Sequence, residues 1–334
     1  MGNKLFLMML KLMNIILLLL MMTMSDIFKS WLVFEIASLI LIGILSLSSS
    51  DFYGGLIYFV ISSYCMVYMF WVILLGFTFS EYEGIMKMMA IFVFFLKLGV
   101  FPFHYWMVSV VQQLSWSNFY FLSTVMKLLY MIFFLKLGMY SDYIYFFFLM
   151  NLLGMMILMK SYFNSIKVYM YCTGSGHVSL MMGLGVMNLN YMLYYCMMYF
   201  TVLFLVIFMF KLYNLSYFSE MYFLNLSNFS RFMFILVMLI YTMMPPFMSL
   251  MLKWFFMEKL INNYTVEVGS LLWLFSISIF MILGIWNYLS FLILIFFGYN
   301  DIFKLGFTKL PVFSILFLVL MLFWVMSVWM INVI

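Results

Sequence analysis

Lys97 lies inside MMAIFVFFLKLGVFPFHYW, an apolar run long enough to cross a bilayer as a helix. Lys87, the nearest upstream charge, is about 15 Å away along a helix, and His104 is about 10 Å downstream. A lysine stem snorkels over only part of either distance. A cation near a bilayer centre costs roughly 2.5–3.5 kcal/mol on insertion scales, so such a residue is turned toward a protein interior or a water-filled path. Further ionisable residues pose the same question. Glu35, in WLVFEIASLILIGIL, lies about 9 Å beyond Lys29 on a short side chain. Lys127 is enclosed by FLSTVMKLLYMIFF, and Lys253 precedes Trp254 with Glu258 just downstream.

Burial of an amine in a low-dielectric medium disfavours its charged form, which suits it to accepting and releasing protons. The competing reading is that these groups form internal ion pairs that only set helix packing. One glutamate cannot pair with Lys97, Lys127 and Lys253 together, so proton movement is the chemistry to expect. His104 and His177 serve mainly as exclusions, because a bis-His haem needs paired histidines on facing helices and a copper–haem oxidase needs more. Cys65, Cys172 and Cys196 follow no metal-ligand or disulfide spacing and read as packing residues. No glycine-rich nucleotide loop follows a strand. The expectation is a chain without a metal or redox cofactor of its own. Arg231 stands at a helix entry, which argues against a rotary-synthase stator.

The elements that must position these residues are helices in a membrane. The 334 residues are 69% hydrophobic and 7% charged, with a mean hydropathy of +1.22. A soluble domain of that balance could not cover its surface with polar groups. The apolar runs are continuous rather than alternating, which excludes a β-barrel. The net charge of +5 is thinly spread, without a cluster for nucleic acid or a polybasic lipid patch. The fold class is therefore all-α, a polytopic transmembrane bundle of about eleven spans forming one membrane domain over residues 1–334. The spans read as 5–24, 28–49, 55–78, 84–106, 112–138, 143–161, 165–186, 189–212, 231–262, 268–296 and 311–332. Joints near Asp51, Glu81, Asp142, Arg231 and Asp301 are too short for an extramembrane domain.

Two spans are expected to be discontinuous. QQLSWSN over residues 112–118 opens an otherwise apolar helix, and Pro245 with Pro246 removes two amide donors within another. Interrupted helices in the two halves of a transporter point to its ion path. Lys127 and Lys253 each follow one of these breaks. Residue usage adds a different kind of information: 40 Met, 43 Phe and 25 Tyr stand against alanines only at 37 and 90. That skew favours A/T-rich codons and points to an AT-rich organelle genome, that of an animal mitochondrion. Residues 5–24 are apolar, but neither a small-residue cleavage site nor an Arg-rich transit segment accompanies them.

KLGVFPFHYW, from Lys97 to Trp106, resembles the KLG-x-x-PFH-x-W signature of the NADH-ubiquinone oxidoreductase chain 2 family, membrane subunits of mitochondrial complex I. Trp31 to Glu35 (W-x-x-x-E), Lys127 in VMKLLY, and PP followed by LKWFFMEKL fit the family's order and spacing. The resemblance implies an antiporter-like fold in the mitochondrial inner membrane, with other complex I membrane subunits and lipids as partners, and no stand-alone monomer. It maps a charged axis along the membrane plane onto Glu35, Lys97, Lys127 and Lys253, with His104, His177, Glu258, Pro245 and Pro246 in support. It implies proton pumping coupled to distant ubiquinone reduction, with NADH, FMN, iron–sulfur clusters and ubiquinone bound by other subunits. A sister antiporter-like subunit, a non-pumping scaffold and a stand-alone antiporter are the alternatives. The chain departs from the family pattern at Ile57, where a lysine is frequent, at Ser109 and Met243, and in the late placement of His177.

Overall fold

In lipid every backbone amide and carbonyl needs an internal partner, and a long apolar run meets that demand as a helix. The computed structural model describes residues 2–48, 53–78, 83–137, 165–187, 189–217 and 228–241, with positions 150, 151, 154 and 220. Among these the regular elements are helices: α1 Gly2–Thr23, α2 Ile27–Ser48, α3 Tyr53–Thr78, α4 Glu83–Leu98, α5 Tyr105–Gln113, α6 Trp116–Phe121, α7 Lys127–Lys136, α8 Ile166–Met187, α9 Leu189–Leu212 and α10 Asn228–Tyr241. A π turn, Leu122–Met126, joins α6 to α7. Five described segments are long and apolar enough to cross a membrane, namely Lys4–Thr23, Ile27–Leu47, Tyr53–Gly76, Trp116–Lys136 and Met192–Leu212. Pro245, Pro246, Lys253, Glu258 and the spans expected at 143–161, 268–296 and 311–332 lie outside the described residues.

The chain divides into two compact units, Met1–Leu193 and Tyr194–Ile334. In the first, burial separates centre from periphery. Only 11% of the Lys4–Thr23 window is buried, against 78% for Trp116–Lys136, so α6 and α7 lie inside and α1 outside. Residues 168–183 of α8 are buried on every side. The exposed side chains of α1 and α3, such as Leu5, Met8, Tyr64, Val67 and Trp71, are large and apolar, as a lipid- or subunit-facing surface requires. In the second unit, Phe210 packs edge-on against Phe234, 5.5 Å between centroids, and Tyr199 approaches Tyr241 at 6.5 Å. After α9 the chain turns at Asn214, whose φ of 52° is tolerated best by glycine or asparagine.

The run expected to be one span over 84–106 is cut after Leu98. Gly99 adopts φ +63°, its amide bonds to the Leu96 carbonyl at 3.1 Å, and the Val100 amide reaches back to Phe95 at 3.1 Å. This is the Schellman arrangement, with glycine at the left-handed position and Pro102 following where the helix cannot continue. Trp106 Nε1 donates to the Leu96 carbonyl at 3.1 Å. The Tyr171 hydroxyl of α8 faces the carbonyls of Leu98 and Gly99 at 2.7 and 2.8 Å. Asn151 accepts from the Phe101 amide at 3.3 Å and donates to the Ser175 carbonyl at 3.0 Å. The KLG-x-x-PFH-x-W residues thus build a cap that ends α4 one residue after Lys97 and returns the chain into α5.

The polar stretch at 112–118 contains two extended residues, Leu114 (φ −71°, ψ 145°) and Ser115 (φ −67°, ψ 154°), between α5 and α6. Lys167 Nζ donates to the Leu114 carbonyl at 2.6 Å and stands 5.3 Å from the centre of the Trp116 ring. Lys136, in the last turn of α7, donates to the carbonyls of Met21 and Met24 at the end of α1.

Replacement of Gly99 tests the cap. A Cβ there would stand 2.5 Å from Met107 Cβ and 3.0 Å from the Tyr171 oxygen. Gly99→Ala combines the left-handed penalty with overpacking, for a loss of about 2–5 kcal/mol. A lower thermal unfolding midpoint in detergent is expected, and an unchanged midpoint would contradict this account of the turn.

Candidate functional site

Glu35 projects from α2 and Lys97 from the last turn of α4. The lysine Nζ donates to both carboxylate oxygens, at 2.9 Å to Oε1 and 3.0 Å to Oε2. The side chains are 3% and 5% exposed, so solvent does not screen the pair. One turn along α2, Ser38 Oγ lies 2.8 Å from the Glu35 backbone carbonyl and 3.2 Å from Oε2. The Lys97 ammonium also stands 3.9 Å above the Phe34 ring. Phe34 in turn stacks on Phe133 at 4.8 Å and meets Tyr130 edge-on at 5.1 Å.

Lys127 opens α7 directly after the π turn. Such turns insert an extra residue into a helix, redirect the side chains that follow, and recur at functional sites. The lysine is 4% exposed, and its Nζ has no hydrogen-bond partner among the described residues. It lies 4.9 Å from the centre of the Tyr171 ring, the same tyrosine whose hydroxyl caps α4. One ring therefore touches the lysine of α7 with its face and the end of α4 with its edge.

The chain from Lys127 back toward Glu35 is aromatic and hydroxylic. Tyr130, one helical turn beyond Lys127, hydrogen-bonds through its hydroxyl to that of Tyr58 on α3. A cavity of about 10 Å³ is lined by Lys127, Tyr58, Tyr130 and Tyr171 together with apolar side chains, including Leu98 and Met107.

Of the sequence-derived candidates, the structure joins Glu35 to Lys97 and sets Lys127 apart on the neighbouring helix. His104 directly precedes α5, 1% exposed, with Nδ1 donating to the Pro102 carbonyl at 3.2 Å and its ring beside Phe101 and Tyr105. His177 is buried within α8. Sequence reasoning missed Tyr58, Tyr130, Tyr171 and Ser38. The available signal was spacing: Ser38 and Tyr130 each follow a flagged charge by three residues, on the same helical face. In a chain with 25 tyrosines that signal is faint.

No family model matches the chain. It is 25% identical over 296 residues to NADH-ubiquinone oxidoreductase chain 2 of Apis mellifera ligustica, covering 84% of this chain and 83% of that protein. The resemblance read from residues 97–106 is thereby borne out. Among solved structures, the chain is similar to one of respiratory complex I from Thermus thermophilus with bound aureothin. The TM-score is 0.70 at 14% identity, over 88% of this chain and 71% of that one. It is also similar to a chain of the membrane-bound sulfane sulfur reductase, an archaeal respiratory membrane complex, with a TM-score of 0.64 at 16% identity, over 84% and 53%. At such identities the structural likeness shows the fold alone, which is helical throughout the described elements.

The buried pair is tested by breaking one side of it. Glu35→Gln leaves the Lys97 ammonium without its counter-charge, a loss of roughly 3–5 kcal/mol. Adding Lys97→Met should recover most of that loss, because the double change removes both buried charges. Purely additive losses in a double-mutant cycle, read from thermal unfolding, would show that the two residues are not coupled.

Proposed function

We propose that this chain is a membrane-arm subunit of respiratory complex I in the mitochondrial inner membrane, taking part in proton translocation coupled to ubiquinone reduction elsewhere in the complex. The observation that carries the reading is the buried Glu35–Lys97 pair, with the equally buried Lys127 on the adjacent helix. Similarity to the Apis chain supplies the family context. Within such an assembly NADH, FMN, iron–sulfur clusters and ubiquinone belong to other subunits, and this chain contributes proton-carrying side chains.

The geometry supports a simple cycle. With the 2.9 and 3.0 Å contacts intact, Glu35 holds Lys97 as an ammonium. A small displacement of α2 against α4 lengthens those contacts, and the proton becomes transferable within the buried interior. Lys127 is the acceptor, since its Nζ is buried beside the Tyr171 ring and a small cavity and has no hydrogen-bond partner among the described residues. The extended backbone at Leu114 and Ser115, ahead of the segment that carries Lys127, supports reading the span expected at 112–138 as interrupted at its start. Lys253 and Glu258, with Pro245 and Pro246, extend the same scheme into the second half of the chain.

A scaffold role has one observation in its favour, the close bidentate contact of Glu35 with Lys97, which a packing device would also show. Lys97→Met and Lys127→Met separate the readings, since methionine keeps much of the stem volume and removes the charge. Either change should lower the number of protons moved per electron pair while assembly is largely retained. Full proton yield and rate in both variants would return the lysines to packing.

A further inference from the structure

We infer that Tyr58 and Tyr130 form the hydroxyl bridge that carries protons between the Glu35–Lys97 pair and Lys127, with a single-water chamber on the Lys127 side. The inference rests on the proton-translocating reading above. The two hydroxyls are hydrogen-bonded to each other across α3 and α7, at residues 1% and 3% exposed. On one side, Tyr130 meets edge-on, at 5.1 Å, the same Phe34 ring that lies 3.9 Å from the Lys97 ammonium. On the other side they line the same small cavity as Lys127.

Proton counting singles out this pair among the buried tyrosines near Lys127. Each phenol has one proton to donate and lone pairs to accept with. Tyr171 has its proton committed to the carbonyls of Leu98 and Gly99, which leaves it none to pass on. Tyr58 and Tyr130 hold two protons and share one hydrogen bond, so one proton remains to be directed at a third group. Which tyrosine donates is not fixed by the geometry, so the bridge conducts in either direction after rotation about the C–O bonds.

The chamber volume of about 10 Å³ is at the threshold for one water. Its polar lining of Lys127 and the tyrosines supplies the two or more partners a buried water needs. The transfer then balances. Once a displacement of α2 against α4 brings the Lys97 ammonium within hydrogen-bond reach of a hydroxyl, it gives up one proton there as that hydroxyl passes its own to its partner, the partner passes one to the water, and the water protonates the Lys127 amine. Lys97 ends neutral and Lys127 cationic, while both tyrosines and the water keep their proton count.

The test uses the assembled complex in sealed membranes, with protons counted per electron pair and normalised to assembled complex. Tyr58→Phe and Tyr130→Phe remove only the hydroxyls. Each is expected to lose the same share of proton yield as Lys127→Met, and the double variant to lose no more than either single. Tyrosine variants that keep full yield while Lys127→Met loses it would overturn the bridge and leave the translocation reading standing. Full yield in Lys127→Met and Lys97→Met as well would overturn both. Failure of both single tyrosine variants to assemble would mark the hydroxyl pair as a packing contact and likewise overturn the bridge.

Discussion

Two opposite charges buried at hydrogen-bond distance impose a tolerance on the helices that bear them. Each ion costs several kcal/mol to remove from water, and the mutual attraction offsets this only when the geometry is close and the remaining hydrogen-bonding capacity is used. Glu35 and Lys97 meet the condition through a bidentate contact and the adjacent Ser38. The requirement then passes to α2 and α4, whose spacing sets the length of that contact. The ordered cap after Lys97 follows from that need: Gly99, Trp106 and Tyr171 fix where α4 ends, and Asn151 ties the following turn to α8.

The described lysines divide by what their ammonium groups touch. Lys136 and Lys167 reach backbone carbonyls left open where helices end, at Met21, Met24 and Leu114. This is how a membrane protein tolerates irregular backbone, since lipid offers the exposed carbonyl no donor. Lys29 pairs with Asp26 at the entry to α2, and both are exposed there. Lys97 and Lys127 differ in kind. One is matched to a side-chain carboxylate and the other faces aromatic rings and a small cavity. In a chain only 7% charged, such distinctions are readable residue by residue.

The helical membrane class was legible because continuous apolar runs leave no other way to satisfy the backbone. Glu35, Lys97 and Lys127 were legible for a related reason: a charge is conspicuous where its solvation is expensive. What sequence obscured was the point at which one helix gives way to the next. The run from Met88 to Trp106 is apolar on both sides of Gly99, so hydropathy carried on through a turn that the backbone does not make as a helix. The interior tyrosines were obscured differently. Tyr58 and Tyr130 have apolar bodies, and only the third dimension brings their hydroxyls together.

Phe34 has a further consequence. Its ring lies under the Lys97 ammonium and edge-on to Tyr130, and it stacks on Phe133. The face of an aromatic ring attracts a cation through its quadrupole, yet a phenylalanine ring has neither a lone pair nor an exchangeable hydrogen to enter a relay. Phe34 therefore behaves as a dielectric spacer: it transmits the field of the ammonium toward Tyr130 and Phe133 but can itself neither donate nor accept a proton. Charge at Lys97 is sensed across that ring, and matter has to go round it.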